Sequence, residues 1–353
     1  MTSIFLDEDL QGLAKWLKDN NFGGCTVLVT GSTGLIGSLC IKAMARYNAL
    51  FDDKITICAM ARNEEKIHEI LKEELPDKNV NILIQDIYQP ILTNLKIDYV
   101  IHAASPTSSK FMISNPVETL DAIYVGTRNV LDYARQQKVK AMVYLSSMEV
   151  FGQVDTLERI DERQLGYIDL KNIRSCYPEG KRVAELLCKC YSSEYGLSIK
   201  IARLAQIFGA GVSRNEGRVF SQFARSAIAG KDIILHTNGI SQGNYCYTAD
   251  AVRGIFLLLK SGVSGETYTV VNEANTCTIA EMADMVAREF SGGKSKVIYD
   301  IPAENIFGYA SDTKMRLSSQ KICKLGWKPQ YGLKQMYERM LPDLMESYNA
   351  QEN

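Results

Sequence analysis

Tyr177 and Lys181 have the residue types and the spacing of a catalytic acid–base pair. They stand four residues apart, so on a helix they share one face, one turn from each other. Pro178 follows the tyrosine, and because proline is tolerated in a first helical turn, a helix is predicted to begin here. A phenol is a poor base at neutral pH, but a neighbouring ammonium favours its phenolate form. The pair therefore predicts a phenolate base. The alternative is a surface tyrosine and lysine that share a helix face.

Ser147 and Glu149 form a second pair of polar side chains, directly after the apolar stretch 141–145. That stretch is predicted to be a buried strand, and open α/β sheets bind ligands at the carboxyl ends of their strands. We therefore expect this hydroxyl and this carboxylate to complete an acid–base set with the tyrosine and lysine.

The elements that must position these groups begin with a β-branched apolar run over 25–30, which predicts a strand. It leads into Gly31-Ser32-Thr33-Gly34-Leu35-Ile36-Gly37 and then a helical stretch to residue 47. Strand, glycine-rich turn and helix are the context of a dinucleotide site, with the pyrophosphate at the helix N-terminus. All seven turn residues are predicted cofactor contacts: Gly31 for the tight turn, Gly34 for backbone approach and Gly37 for helix–strand packing. The glycine spacing is looser than in the dehydrogenase fingerprint, so a plain glycine-rich turn is the alternative.

The second predicted strand, 54–60, bears on the choice between NAD and NADP. Its end lacks the carboxylate that often holds the adenosine ribose, and Arg62 stands two residues beyond it. An arginine here can meet a 2′-phosphate, which favours NADP over NAD. The alternative is that Arg62 stacks on the adenine or faces solvent.

Further cofactor contacts are predicted at the ends of the third and fourth strands, 80–84 and 99–102. Asp86, followed by Ile87, offers a carboxylate to the adenine amino group. The small residues after the fourth strand allow close approach of the cofactor; they are Ala103, Ala104 and Ser105.

The alternation of these strands with helical stretches at 64–74 and 117–136 predicts an α/β fold of the Rossmann type, a doubly wound parallel sheet. Residues 1–24 are predicted to be a helical extension and 25–205 a dinucleotide-binding domain that carries the tyrosine and lysine. Beyond residue 205 the alternation loosens into glycine-rich polar segments. Residues 206–353 are therefore predicted to be mainly a smaller α/β region, with some segments returning to the first domain.

Composition limits the kinds of partner. The 353-residue chain has a net charge of −1, which gives no reason to expect nucleic acid or a membrane surface. Its nine cysteines lack a disulfide framework spacing and its three histidines are far apart, so a reducing cytoplasm and no metal site are predicted. The acidic N-terminus does not resemble a signal peptide.

At this point the motifs resemble those of extended short-chain dehydrogenases/reductases that modify nucleotide sugars, the NAD-dependent epimerase/dehydratase family. The resemblance runs from about residue 25 to 338. The turn 33–37 and Leu325-Gly326-Trp327 are family-wide motifs. The segments 104–116, 174–185 and 216–220 are most similar to the subfamily of UDP-glucuronate decarboxylases.

The resemblance implies a role for each catalytic candidate. Tyr177 takes the position of the base, and Lys181 that of its partner, which also holds the nicotinamide ribose. Ser147 takes that of the residue bonded to the sugar 4-hydroxyl, and Glu149 matches a carboxylate retained by decarboxylases and 4,6-dehydratases. The resemblance also implies a nucleotide-sugar substrate, a homodimer built through two long helices and a role in polysaccharide precursor synthesis. The implied substrate contacts are Ser147 and Glu149 together with Pro106, Gln206, Arg218 and Val219.

Several positions depart from the family pattern. Dehydratases carry an Asp where this chain has Met148, which counts against 4,6-dehydration. The arginine that normally grips a diphosphate or sugar acid falls at Gly243, and Arg203, Arg218 or Arg316 could compensate. Two asparagine positions are filled by Ile123 and Gln206, and Ala210 replaces a proline.

Decarboxylation by transient C4 oxidation is therefore the expected activity, and other activities stay open. A 4-epimerase needs the tyrosine, the lysine and the serine but not Glu149. A 4,6-dehydratase and an NADP-dependent reductase are further alternatives. A protein that binds a dinucleotide or nucleotide sugar without turnover is the alternative from a different class.

Overall fold

The computed structural model describes residues 3–154, 156, 158–213, 215–302 and 314–349. The elements up to residue 204 are α1 (Ile4–Asp19), β1 (Thr26–Thr30), α2 (Leu35–Leu50), β2 (Thr56–Ala61), α3 (Glu64–Ile70), β3 (Val80–Ile84), β4 (Tyr99–His102), α4 (Ser109–Ser114), α5 (Pro116–Gln137), β5 (Ala141–Ser147), β6 (Arg159–Ile160), α6 (Cys176–Tyr195) and β7 (Ile199–Leu204). The later elements are β8 (Gln206–Phe208), α7 (Val219–Ile228), β9 (Ile233–Leu235), β10 (Gln242–Gly243), β11 (Tyr245–Tyr247), α8 (Thr248–Ser261), β12 (Thr267–Val270), β13 (Cys277–Thr278), α9 (Ile279–Phe290), β14 (Val297–Tyr299), β15 (Arg316–Leu317), α10 (Gln320–Cys323) and α11 (Leu333–Asn349).

The centre of the fold is a seven-stranded sheet in the order β12-β7-β5-β4-β1-β2-β3. Every strand pair in it is parallel. The chain order reverses between β1 and β4, and the crevice at such a switch point is where open α/β sheets bind ligands. The predicted α/β class and doubly wound parallel sheet are confirmed.

Helices cover the two faces of this sheet because its strands are apolar on both sides. Val27 and Val29 of β1 face a core shared with α1, α2 and α8. Leu28, between them, faces a second core shared with α5 and α6. Successive side chains of a strand point to opposite faces, so one short apolar strand supports both layers.

Element bounds differ from the sequence predictions by a few residues. The strand predicted over 54–60 spans Thr56–Ala61, and the helix predicted over 64–74 ends at Ile70. Beyond it the backbone bonds are turn-like, as in the bond from the Glu74 amide to the Leu71 carbonyl. Pro76 follows shortly after, and proline disfavours helical backbone in the residue before it.

The C-terminal part of the chain is built from short paired strands and helices, and some of its elements return to the sheet. β12 pairs with β7 at the sheet edge, whereas β6 pairs with β15. The division of the chain at residue 205 remains a prediction. Among the described residues, none of the helices combines the length and the apolar character needed to span a membrane.

Candidate active site

The glycine turn is pressed against the end of the neighbouring strand, and this packing requires glycine. Gly31 has a φ of 69°, in the left-handed region that side chains disfavour. A Cβ there would lie 2.7 Å from the backbone of Ala103 and Ala104. A Cβ on Gly37 would lie 2.3 Å from the Gly31 carbonyl oxygen, so helix α2 rests directly on the turn.

The start of α2 fits the pyrophosphate of a dinucleotide. Gly34 is the N-cap, it is exposed, and no side chain caps the helix in the described part of the chain. The first-turn N–H groups of an uncapped helix are donors available to an anion. Thr33, Leu35 and Ile36 are part-exposed around this start. Ser32, in contrast, is buried, and its hydroxyl donates to the Val29 carbonyl over 2.8 Å, so the structure turns that side chain inward.

The predicted adenine contacts lie along the ends of β2 and β3. Arg62 is exposed directly after β2, and it opposes the burial that raises the pKa of Tyr88. Asp86 accepts a 3.0 Å bond from the Tyr88 amide. Ile87 packs against Gly126 of α5, where a Cβ would approach within 2.9 Å of it.

Residues 103–106, which follow β4, are themselves half-buried and lie beside the glycine turn. This group contains Ala103, Ala104, Ser105 and Pro106. A series of buried hydrogen bonds, which the sequence analysis missed, supports this segment. Thr30 bonds to His102 over 2.7 Å, His102 bonds to Thr127 over 3.1 Å, and the Ala104 amide donates to Thr30 over 3.2 Å. Burial lowers the pKa of His102 to about 3, so this ring is neutral and structural.

The catalytic candidates meet at the carboxyl end of β5. Tyr177 is the second residue of α6, where Pro178 fits the first turn. Lys181 follows one turn later, and its ammonium donates a 2.8 Å bond to the Leu145 carbonyl of β5. Ser147 ends that strand, and its hydroxyl is close enough to the Tyr177 phenol to oppose the rise in the pKa of that phenol. The structure thus brings the hydroxyl, the phenol and the amine together.

The sequence predicted that Lys181 lowers the pKa of the Tyr177 phenol, and the structure shows a raised pKa instead. Burial raises the pKa of Tyr177 to about 12, and the Glu149 carboxylate adds to this rise. Burial also lowers the pKa of Lys181 to about 7, which Glu185 opposes. Lys181 lies 5.8 Å from the centre of the Tyr177 ring and donates to Leu145. In this structure desolvation therefore outweighs the attraction between phenolate and ammonium.

Glu149 lies on a short turn after β5 and is bound by an arginine to which the sequence analysis gave no role. The Arg174 Nη2 donates a 2.9 Å bond to Glu149 Oε1, and its Nε donates a 3.3 Å bond to Ser109. The guanidinium also lies 5.3 Å from the centre of the Tyr177 ring, and it opposes the rise in the pKa of that phenol. Arg174 is therefore a member of the site.

Three of the predicted substrate contacts lie later in the chain, on β8 and at the start of α7. Arg218 is the N-cap residue of α7, directly before Val219, and pairs with Glu216 over 2.7 Å. It faces the site, since it is among the cations that lower the pKa of Tyr177. Gln206 lies in β8, where its backbone N–H donates to the Asn244 backbone carbonyl.

Two of the arginines offered as compensation for Gly243 are placed elsewhere. Arg203 is buried in an ion pair with Glu185, so it is not free to bind a substrate acid. Arg316 is exposed on β15, which pairs with β6. Position 243 has no room for a side chain, because a Cβ there would lie 2.2 Å from the Tyr245 hydroxyl.

Two family positions that depart from the pattern are filled by core residues. Met148 is buried in a small apolar cluster, and Ile123 packs within 3.2 Å of a Cβ position on Gly180 of α6. Neither side chain can donate or accept a proton. Among the described residues, no group of three or more His, Cys, Asp or Glu side chains is arranged to hold a metal ion.

Comparisons with known proteins agree with this geometry. The chain is 27% identical over 312 residues to UDP-glucuronic acid decarboxylase 6 of Arabidopsis thaliana, covering 88% of this chain and 85% of that one. It is 28% identical over 306 residues to UDP-glucuronic acid decarboxylase 1 of Danio rerio, covering 86% of this chain and 68% of that one.

Solved structures share the fold. The UDP-glucose 4-epimerase of Thermotoga maritima, solved with UDP-glucose, has a TM-score of 0.77 at 19% identity, covering 92% of this chain and 99% of that one. The UDP-glucuronic acid 4-epimerase of Bacillus cereus, solved with UDP-glucuronic acid and NAD, has a TM-score of 0.75 at 18% identity with the same coverages. The sequence pattern of the NAD dependent epimerase/dehydratase family matches residues 27–272. The chain belongs to this family of NAD-dependent enzymes.

Proposed function

We propose that this protein modifies a nucleotide sugar by transient oxidation at C4, and that its reaction is the decarboxylation of UDP-glucuronate. The observation that carries the proposal is the meeting of Ser147, Tyr177 and Lys181 at the end of β5, with Glu149 in the same cluster. Relatives named UDP-glucuronic acid decarboxylase match most of the chain.

The first step is the oxidation of the sugar at C4. Ser147 and Tyr177 bind the C4 hydroxyl, and the Tyr177 phenolate takes its proton while a hydride leaves C4. A bound nicotinamide would supply the hydride acceptor and donor for this chemistry, and its positive charge in the oxidised form would favour the phenolate of Tyr177. Lys181, held by the Leu145 carbonyl, supports the phenolate and would hold the nicotinamide ribose.

The resulting 4-ketone makes the uronate a β-keto acid. The bond between C5 and the carboxylate breaks, CO₂ leaves, and the bonding electrons move into an enolate whose oxygen lies on C4. Hydrogen bonds from Ser147 and Tyr177 stabilise that oxygen. Glu149 returns a proton to C5, directly or through water. Hydride then returns to C4 and the proton on Tyr177 returns to the oxygen, so the cofactor is unchanged over one cycle.

The same cluster would serve a 4-epimerase, and the product distinguishes the two. Purified protein is incubated with UDP-glucuronate and a catalytic amount of NAD or NADP, each in turn, and the products are identified by mass spectrometry and proton NMR. We expect a UDP-pentose that has lost one CO₂. UDP-galacturonate would instead show an epimerase, and a 4-keto-6-deoxy product from UDP-glucose a dehydratase. Firm binding without any product would show a non-catalytic protein.

The finer cofactor assignment is NADP, proposed from the exposed Arg62 after β2 and from the absence of a carboxylate there. The test is calorimetric titration of Arg62→Ala with each dinucleotide. If Arg62 holds the 2′-phosphate, its replacement by alanine weakens NADP binding about tenfold or more and leaves NAD binding unchanged. Equal losses would show that Arg62 stacks on the adenine. Stoichiometric consumption of NADPH during turnover would favour the reductase.

We also propose a homodimer that pairs through α5 and α6. These helices pack side by side, and both carry exposed apolar side chains. On α5 they are Val117, Leu120 and Tyr124, and on α6 they are Val183 and Leu186. Clustered exposed apolar residues of this kind are typical of a protein interface.

All nine cysteines are free thiols, which supports a cytoplasmic location.

A further inference from the structure

We infer that Tyr144 is a positioning residue for the reaction, and that the face of its buried ring keeps the Lys181 ammonium charged and in place. This inference rests on the role proposed above for Lys181. The Lys181 Nζ lies 4.8 Å from the centre of the Tyr144 ring, closer than the 5.8 Å to the Tyr177 ring. The face of an aromatic ring is negative, and it attracts a cation within about 6 Å of its centre.

Lys181 is a buried cation with few partners. Its side chain is only 3% exposed. Within the described part of the chain its ammonium donates one hydrogen bond, to the Leu145 carbonyl, although an ammonium has three N–H donors. A buried charge with few partners is costly, so burial favours the neutral amine. Attraction to an aromatic face opposes this loss of the proton, most strongly where water is excluded.

The ionisable groups that face this ammonium are either neutral or already paired. Glu185 and Cys188 of α6 favour the charged form, but Glu185 is paired with Arg203, and burial raises the pKa of the cysteine thiol. His102 of β4 is neutral, because burial lowers its pKa to about 3. Burial also raises the pKa of Tyr177 to about 12, so this neighbour is a neutral phenol before the reaction begins. The aromatic face is therefore a separate source of attraction for the cation.

The ring of Tyr144 is fixed in place by its surroundings. Tyr144 is 1% exposed and lies opposite His102 in the pairing of β4 with β5, with the ring centres 5.5 Å apart. His102 is itself held by hydrogen bonds with Thr30 and Thr127. Burial raises the pKa of the Tyr144 phenol well above its usual value, so this hydroxyl stays neutral. The ring face, and not the hydroxyl, is thus the part that acts on Lys181.

The test changes the charge on the ring face and keeps its shape. Tyr144→Phe is the reference, because it keeps the face and removes only the hydroxyl. Phenylalanines with increasing numbers of ring fluorines, which draw electrons from the face, are then incorporated at position 144. The pKa of Lys181 is read by NMR from protein with ¹³C-labelled lysine ε-carbons, and Lys181→Arg assigns the signal. We expect this pKa to fall by about one unit across the series.

The alkaline limb of kcat/KM should move down by the same amount, because the ammonium form supports the phenolate. Tyr133→Leu is the matched control, since Tyr133 is 4% exposed in the same apolar core but lies on α5. It should lower the melting temperature and leave both the pKa of Lys181 and the alkaline limb unchanged. Thermal unfolding verifies that each variant is folded.

An unchanged pKa of Lys181 across the fluorinated series, or an alkaline limb that does not follow it, would overturn the inference. The NMR titration does not depend on the substrate. A falling pKa in a protein that forms no product from UDP-glucuronate would therefore confirm the contact and overturn the proposed function instead.

Discussion

Arg203 and Glu185 form a buried ion pair one helical turn beyond Lys181. The guanidinium Nη2 lies 2.8 Å from Glu185 Oε2, and the two side chains are only 4% and 6% exposed. Glu185 lies one helical turn after Lys181 on the same face of α6. It also accepts a 2.6 Å bond from Ser146 of β5. The pair therefore joins helix α6 to two strands of the sheet, β5 and β7.

Glu185→Gln is predicted to move the alkaline loss of activity to lower pH. Burial lowers the pKa of Lys181 to about 7, and Glu185 opposes that shift. Without the carboxylate the pKa of Lys181 falls further. In the proposed mechanism the ammonium form supports the phenolate, so activity is present below this pKa and is lost as pH rises through it. The alkaline limb of kcat/KM should therefore shift down by about one pH unit or more.

Glu179→Gln is the control for that shift, because Glu179 lies on the same helix but pairs with Arg182 away from the lysine. Its pH profile should match that of the parent protein. A folded Glu185→Gln variant with an unchanged alkaline limb would show that Glu185 is structural only.

Gly31→Ala is predicted to disrupt both the turn and dinucleotide binding. The new Cβ would meet the backbone of Ala103 and Ala104 at 2.7 Å, so one of the two segments must move. Gly196→Ala is the matched control: its φ of 67° is nearly the same as the 69° of Gly31, but open space surrounds its Cβ position. The control should lose about 1 kcal/mol of stability and keep its affinity for the cofactor. Thermal unfolding with and without NAD or NADP measures both effects, and equal behaviour of the two variants would refute the role of this packing.

Arg339→Met is predicted to destabilise the fold by about 3–5 kcal/mol near neutral pH. Arg339 of α11 pairs with the buried Asp9 of α1 over 2.8 Å and also donates to Tyr247 over 2.9 Å. Burial raises the pKa of Asp9 to about 6. This is above its usual value, so the folded protein holds the proton more tightly than the unfolded chain, and the charged carboxylate costs most above pH 6.

The loss caused by Arg339→Met should therefore be larger at pH 8 than at pH 5, where Asp9 is protonated and needs no counter-ion. Urea unfolding at the two pH values measures it. Arg163→Met removes an ion pair whose arginine is 88% exposed, and it should change stability by less than about 0.5 kcal/mol at either pH. A loss that does not depend on pH would contradict the assignment to Asp9.

Leu186→Glu is predicted to produce a monomer. Leu186 is 63% exposed on α6, and a charge placed in an apolar interface must be desolvated without a partner. Ile4→Glu is the control, since Ile4 is 69% exposed on α1, away from the proposed interface. Sedimentation velocity should show a dimer for the control and a monomer for Leu186→Glu. Two variants with the same sedimentation would argue against pairing through α5 and α6.

The sheet could be predicted from the sequence because its strands are short apolar runs that alternate with helical stretches. β3 and β4 have the predicted bounds, whereas α3 ends at Ile70 and not at the predicted residue 74. The sequence also allowed the prediction that Ser147 and Tyr177 lie in one site, because ligands bind at the carboxyl ends of parallel strands.

Other parts of the site depend on contacts between distant positions that spacing does not reveal. Arg174 meets Ser109, 65 residues earlier, and Arg339 meets Asp9, 330 residues earlier. Arg203 was considered as a ligand for a substrate acid, because the sequence does not show that its side chain is buried against Glu185. The raised pKa of Tyr177 was missed for the same reason, since burial is a property of the fold.

The most direct test of transient C4 oxidation uses UDP-glucuronate that carries deuterium at C4. The purified protein is incubated with this substrate, and the position of the label is read by NMR while absorbance reports reduced cofactor. The account predicts a UDP-pentose that retains deuterium at C4, with no net accumulation of reduced dinucleotide. Loss of the label to the cofactor pool, or one reduced dinucleotide formed for each sugar consumed, would contradict it.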